Sequence, residues 1–415
     1  MAQTNGWFTN TLPILFNQYN QNAEFLAILP DNSNEYRFRQ LFMVGERLIR
    51  LTKENAEVTR VVKWTKDDQI YYISTLPGEP GTRHLFKLQI GKPSRTCLTC
   101  NQHVMIPQLR QRDKCDSVSI SMSKEGSYYM MTCRGPDIPY SCLYKTRTNS
   151  LLLLWSDNKR LEESISAMDT ATVKYLKVGV KGSDQKVQVK LFVPPEVKRK
   201  PLKKLPLLVY VYGGPGAQYV KKEWQGYEFG AYVAGSLGIV YAIIDPRGSG
   251  FQGDAWRHVN YKNLGSVEIA DTISVTKYLQ DNNDFIDSSK TGLWGISYGG
   301  YATLSALTKD RSGVFKCGAS GAPVVKWELY DTFYAERFMS TPQDNPAGYN
   351  SSTPLWGLEN LRHKKFFLFH GTHDDNVHYQ HSMLLSAALE EKDILFRQQT
   401  YPDQVRHFSS SITKN

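Results

Sequence analysis

Two rhythms of apolar and polar positions divide the chain. Up to about Asp157, short apolar runs are broken by polar turns. Phe25-Leu-Ala-Ile-Leu29, Gln69-Ile-Tyr-Tyr-Ile-Ser74, His84-Leu-Phe-Lys-Leu-Gln-Ile90, Ser117-Val-Ser-Ile-Ser-Met122 and Ser127-Tyr-Tyr-Met-Met131 all have strand composition. Asn22-Ala-Glu24, Asp67-Asp68-Gln69 and Lys124-Glu-Gly126 are similar turns, each leading into an aromatic strand. A turn-plus-aromatic unit recurring roughly every 50 residues is the rhythm of propeller blades. Three recurrences fall short of the roughly four to eight blades that close a ring, so an incomplete propeller or a small antiparallel sandwich is expected.

From about Met168 the rhythm changes. Val187-Gln-Val-Lys-Leu-Phe-Val193, Leu207-Leu-Val-Tyr-Val-Tyr212, Gly238-Ile-Val-Tyr-Ala-Ile-Ile244 and Lys365-Phe-Phe-Leu-Phe-His370 are apolar runs of buried-strand length. Helix-length segments, such as Ser266 to Gln280 and Tyr379 to Glu391, separate them. Strands alternating with helices predict an α/β domain with a mostly parallel sheet covered on both faces. The working residues of such sheets gather past the carboxyl ends of the strands.

Composition narrows the class. The 415 residues suggest two domains, and 41% hydrophobic with 22% charged residues excludes a disordered or collagen-like chain. The net charge of +10 would matter for nucleic acid only if concentrated. Its densest run, Lys198-Arg-Lys-Pro-Leu-Lys-Lys204, lies between prolines and reads as a solvated loop. No nucleic-acid partner is expected. No apolar stretch approaches the roughly 18 residues of a membrane span. The start lacks a basic region followed by an apolar one, so the protein is cytosolic or an upstream part is absent from this chain.

The six cysteines weigh on that choice. Cys97-Leu-Thr-Cys100 followed by Cys115 could be part of a zinc site, but Cys115 and Cys133 stand alone where a second Cys-x-x-Cys is wanted. Neighbouring strands stapled in an oxidising compartment explain the spacing better. Asn350-Ser-Ser352 is a formal glycosylation acceptor.

The strongest chemical signal is Gly295-Ile-Ser297-Tyr298-Gly299-Gly300, between the short run Thr291–Trp294 and a helix-like Tyr301–Leu307. A serine on a strained strand-to-helix turn is a nucleophile elbow, and the N–H of Tyr298 would face a developing oxyanion. The serine needs a base, and the base a carboxylate, in the chain order Ser, Asp or Glu, His. Gly371-Thr-His373-Asp374-Asp375-Asn376-Val377-His378 supplies acids at a strand's end. His407, after the strand-like Phe396–Tyr401, is the better base, since His378 and His381 lie too near the acids. His370, His373, Asp374, Asp375, His378 and His381 also invite a metal reading. No His-Glu-x-x-His accompanies them, and a serine elbow needs neither metal nor cofactor.

These motifs resemble the prolyl oligopeptidase family of serine peptidases, specifically its dipeptidyl peptidase IV branch. The resemblance runs from about Gly6 to Ser411. It rests on Tyr210-Val-Tyr212-Gly-Gly-Pro215, Asp245-Pro-Arg-Gly-Ser-Gly250-Phe-Gln-Gly253, the serine elbow, Val314-Phe-Lys-Cys317-Gly318, the segment from Ala322 to Arg337, and His370 to His378. It implies blades of a β-propeller over 1–160 and an α/β-hydrolase domain over 161–415.

By position, Ser297 matches the nucleophile, Asp374 the acid, His407 the base and Tyr212 a side-chain oxyanion donor beside Tyr298 N–H. Tyr298, Val324, Trp327, Tyr330, Tyr334, Asn376 and Val377 match the pocket for the penultimate residue. The implied activity is removal of Xaa-Pro or Xaa-Ala dipeptides from peptides with Pro or Ala second. An endopeptidase or esterase of the same fold and a non-catalytic binding subunit are the alternatives.

The resemblance also implies a cell-surface or extracellular glycoprotein, dimeric and membrane-anchored in its full-length form. Disulfides Cys97–Cys100 and Cys115–Cys133 follow, with Cys317 free. This sequence departs from the family in four respects. It has no counterpart of the upstream glutamate pair that binds the substrate's amino terminus. Ile296 replaces a tryptophan, and Tyr401 to His407 is one residue longer. The closing helix that carries the partner of Cys317 is missing. The chain reads as a truncated product of a longer ectoenzyme.

Overall fold

The computed structural model describes residues 6–7, 14–19, 23–92, 94–100, 114–199, 203–226 and 228–405, without the side chain of Lys198. Among the described residues, the first half comprises three four-stranded antiparallel meanders. One comprises β1 (Leu15–Phe16), β2 (Phe25–Pro30), β3 (Arg39–Val44) and β4 (Leu48–Arg50). The next comprises β5 (Val58–Trp64), β6 (Gln69–Leu76), β7 (Glu79–Gln89) and β8 (Arg95–Cys97). The last comprises β9 (Cys115–Met122), β10 (Tyr128–Pro136), β11 (Tyr140–Lys145) and β12 (Ser150–Ser156). A parallel bridge, Arg83 opposite Ser117, links the second meander to the third. Stacked rings fill their interiors: Tyr72 on Phe86, and Tyr129 on Tyr144 with centroids 5.0 Å apart.

The disulfides are Cys97–Cys100, at the turn after β8, and Cys115–Cys133, joining β9 to β10. The zinc reading of these cysteines is thereby replaced. Cys142 and Cys317 are free.

After α1 (Lys159–Ser166) the second half begins. Its strands are β13 (Thr172–Gly179), β14 (Lys186–Val193), β15 (Leu205–Val211), β16 (Val240–Asp245), β17 (Ile286–Ile296), β18 (Cys317–Gly321), β19 (Lys365–Gly371) and β20 (Arg397–Tyr401). They form one sheet in the order β13-β14-β16-β15-β17-β18-β19-β20. Pairing is parallel from β16 through β20, while β14 runs antiparallel to both β13 and β16. The apolar run at Val187 is thus the antiparallel exception. Burial alone cannot reveal direction, because both kinds of strand are covered on two faces.

The basic run read as a loop opens with one helical turn, α2 (Glu196–Arg199). Pro195 precedes it, and proline's fixed φ suits a helix start. The remaining helices are α3 (Phe229–Gly235), α4 (Asp254–Arg257), α5 (Val267–Asp281), α6 (Tyr298–Lys309), α7 (Thr332–Met339), α8 (Pro346–Ser352) and α9 (Gln380–Glu390). Helix α6 is buried from Tyr298 through Thr308 and packs on β17 and β18. None of the described helices is long and apolar enough to cross a membrane.

A buried charge network fastens the halves together. Arg39 meets Asp254 at 3.0 Å, and Arg257 meets Asp254 at 2.9 Å and Glu57 at 3.3 Å. Glu57 Oε1 also accepts the Gly253 N–H at 2.7 Å. Gly253 has φ 89°, and a Cβ there would lie 2.1 Å from the Tyr36 carbonyl oxygen, so only glycine fits.

Candidate active site

The candidate residues lie on segments that leave the carboxyl ends of the parallel strands β15, β17, β18, β19 and β20, on one side of the sheet. Ser297 follows β17 with φ 66° and ψ −123°, a region that non-glycine residues occupy only under strain. Its N–H donates to Gly321 O at 2.8 Å, which fixes the turn against the end of β18. The flanking glycines are sterically required. A Cβ on Gly295 would lie 2.3 Å from Val211 O, and one on Gly299 2.4 Å from the same atom. The elbow can exist only where strand and helix approach this closely. Ser297 itself is 8% exposed.

Tyr212 follows β15, and its half-buried ring lies 6.1 Å from that of Tyr298 and 5.1 Å from that of Tyr219. A Cβ at Gly214 would strike this ring at 2.5 Å, so the glycine pair after Tyr212 gives the phenol its place. Tyr298 begins α6, and its hydroxyl donates to Glu268 Oε1 at 2.8 Å. Glu268 is fully buried on α5, and burial raises its carboxyl pKa against the hydrogen bonds it accepts. Sequence reasoning missed Glu268. The available signal was an acid in the first turn of a helix whose neighbours are apolar.

Of the two acids after β19, Asp374 is buried and Asp375 exposed. Asp374 Oδ1 accepts the N–H groups of Asn376 and Val377 at 3.0 and 2.9 Å. His370 Nε2 lies 3.3 Å from Oδ2, but it faces the Val377 carbonyl at 2.8 Å and gives its proton there. Its Nδ1 then accepts from Ser382 Oγ at 2.8 Å. Oδ2 is left buried with no hydrogen bond among the described residues. Burial pushes the Asp374 carboxyl up, but His370 and the two N–H groups outweigh it and the net direction is down.

The loop after β20 is clasped to this acid loop. Thr372 N–H donates to Tyr401 O at 3.0 Å, His373 N–H to Gln404 O at 3.1 Å, and Asp403 N–H to Thr372 Oγ1 at 2.9 Å. The chain leading toward position 407 therefore runs beside Asp374. His407 itself lies outside the described residues.

The pocket candidates converge as an aromatic cluster. Trp327 stacks on Tyr334 at 5.8 Å and meets Tyr330 edge-on at 5.7 Å, and Tyr298 lies 5.6 Å from Trp327. Trp327, Val324 and Val377 are buried, while Tyr330 and Tyr334 are only partly so. The tyrosines form the accessible wall and the other three its backing. Tyr330 OH donates to Asn376 Oδ1 at 2.8 Å.

The histidines of the metal reading scatter. His373 and His378 are exposed, and His381 is buried, accepting the Val325 N–H on Nδ1 at 3.2 Å. Asn350 is exposed on α8, whereas Ser352 of the same acceptor pattern is buried, its hydroxyl bonded to Tyr349 O.

Burial holds His381 and His258 down to about 4, so both rings are neutral in the folded protein. As pH falls from about 6.5 toward 4, the unfolded chain takes up protons that these rings refuse. The stability they contribute is complete above 6.5 and is lost across that window. The melting temperature is expected to fall by several degrees between pH 7 and 4.5, and His381→Gln should flatten the slope. Scanning fluorimetry checks this, and an unchanged slope in the variant would remove His381 from the account.

Comparison with known proteins gives matches to both halves of the chain. Residues 225–414 match the prolyl oligopeptidase family, and residues 2–140 the dipeptidyl peptidase IV N-terminal region. The chain is 39% identical to venom dipeptidyl peptidase 4 of Apis mellifera, over 81% of this chain and 42% of that protein. It is 36% identical to prolyl endopeptidase FAP of Mus musculus, over 96% of this chain and 51% of that protein. Among solved structures, dipeptidyl peptidase 4 of Porphyromonas gingivalis superimposes with a TM-score of 0.83 at 26% identity, covering 96% of this chain and 53% of that one. The chain spans about half the length of the curated relatives it matches. With a propeller-type N-terminal region, an α/β-hydrolase sheet and a serine elbow at its centre, the chain belongs to the prolyl oligopeptidase family of serine peptidases.

Proposed function

We propose that this chain carries the catalytic centre of a serine dipeptidyl peptidase, with blades of the propeller over 1–160 and the peptidase domain over 161–415. Ser297 attacks the carbonyl carbon of the penultimate residue. His407, oriented by Asp374, takes the serine proton and returns it to the leaving amine. Tyr298 N–H and the Tyr212 hydroxyl receive the oxyanion. The observation that supports this reading is the buried Oδ2 of Asp374, which accepts no hydrogen bond among the described residues and has the His370 ring at 3.3 Å, beside the loop that leads toward position 407. A buried carboxylate oxygen without a donor is costly, and an imidazole N–H from that loop would satisfy it.

Tyr330 and Tyr334 offer flat apolar contact that suits proline or alanine as the penultimate residue, with Val324, Trp327, Asn376 and Val377 shaping the slot. Disulfide pairing and an exposed Asn350 accord with an extracellular setting. The full-length protein would be a cell-surface homodimer.

Paired substrates test the reading. In the full-length protein, Gly-Pro-p-nitroanilide should be cleaved at least tenfold faster than its N-succinyl derivative, and equal rates would indicate an endopeptidase. Tyr330→Ala should lower kcat/KM on the prolyl substrate by roughly 1–3 kcal/mol while sparing a small acetyl ester. Equal losses on both would place Tyr330 in the core.

A further inference from the structure

Lys190 lies at the middle of β14 and is 2% exposed. Its ammonium sits 5.6 Å from the Tyr175 ring centroid and 5.3 Å from that of Phe192. Nζ donates to Gln225 Oε1 at 2.7 Å and to the Glu223 carbonyl at 3.3 Å. Both acceptors are neutral, so among the described residues no carboxylate touches the charge. Burial pushes the ammonium down to about 8 against the pull of Glu228 and Glu223, so it remains largely charged at neutral pH.

Beside Lys190 opens a cavity of about 480 Å³ where the two halves meet. Pro136 at the end of β10, Met168 and Ala171 before β13, Trp224, and Ala231 on α3 give it a largely apolar lining. The acids at its border have other partners. Glu223 faces Arg134 at 3.7 Å and Ser117 Oγ at 3.3 Å, and Asp169 pairs with Arg199. The volume falls in the range of small-ligand pockets, about 300–1,000 Å³, which favour domain junctions. A buried cation without a counter-ion is costly, and an anion that brings its own apolar body would relieve that cost.

We propose that this cavity is a second ligand site, distinct from the serine elbow, that takes a medium-chain apolar carboxylate. The carboxylate pairs with Lys190 Nζ and the hydrocarbon lies along Met168, Ala171, Trp224 and Ala231. The site does not depend on the peptidase reading.

Calorimetric titration of the full chain at pH 7 with octanoate and its uncharged isostere octanamide tests the proposal. Octanoate should bind at least tenfold more tightly than octanamide. Lys190→Met should lower octanoate affinity at least tenfold, to the level of octanamide. Ala231→Phe should abolish binding of both while leaving fluorophosphonate labelling of the elbow intact. Equal affinity for the two ligands, no octanoate binding at millimolar concentration, or undiminished octanoate binding by either variant would overturn it. Should Lys190→Met fail to fold, the octanoate-to-octanamide ratio on the unaltered chain and the Ala231→Phe variant still decide.

Discussion

Ser297→Ala is expected to abolish labelling by a fluorophosphonate probe and to lower kcat on Gly-Pro-p-nitroanilide by about 10⁴-fold or more. The size of the effect follows from covalent catalysis. With the hydroxyl gone no acyl-enzyme forms, and only the oxyanion donors and substrate binding continue to act. The fold should survive, because the strain at φ 66° belongs to the backbone turn and alanine adds no bulk. Equal melting temperatures for the two proteins would show this. Labelling that persists in the alanine variant would remove Ser297 from the mechanism.

Asp374→Asn is expected to lower kcat by about 10⁴-fold, whereas Asp375→Asn should change it by less than about threefold. The two acids are neighbours in sequence and opposite in setting. Asp374 is buried and bound by two backbone N–H groups, and its Oδ2 accepts no hydrogen bond among the described residues, while Asp375 faces solvent. An amide at 374 can keep the Oδ1 contacts through its carbonyl. It then presents an NH₂ where the imidazole needs an acceptor, which selects the wrong tautomer of the base. Steady-state kinetics of both variants check this, and the reverse order of losses would assign the acid to Asp375.

Much of this was legible from the residues. The elbow can be read because its glycines answer a steric demand that a sequence pattern records directly. The strand at Val240–Asp245 can be read because it is buried throughout and apolar up to Ile244. Choosing between Asp374 and Asp375 needs the fold, since both follow the same strand and differ only in which way the loop turns them. The beginning of β17 is obscured by Asp287-Ser-Ser-Lys290, polar residues that read as a turn although the strand runs through them. Lys190 hides for a related reason. Val187-Gln-Val-Lys-Leu-Phe-Val193 reads as a buried strand, yet Gln188 and Lys190 share one face of it that alternation alone would leave to solvent. The loop at Glu223–Gln225 and the ring of Tyr175 cover that face instead. Glu268 accepts the Tyr298 hydroxyl, and contacts between a helix and a later elbow leave no trace in local pattern.

The order of the strands has a consequence for endurance. Among the described residues, strand β20 is the outermost member of the sheet and hydrogen-bonds to β19 alone, and Arg397, Gln398 and Gln399 are exposed along it. Strand β17, which delivers the serine, is gripped by β15 and β18 on either side. Opening a one-sided pairing demands far less free energy than opening an interior one, so amide protons on β20 should exchange with solvent well before those on β17. On this architecture the seat of Ser297 outlasts the clasp between the Asp374 loop and the loop after β20. Gentle heating would then disable turnover while the sheet, and the strained serine upon it, stays whole.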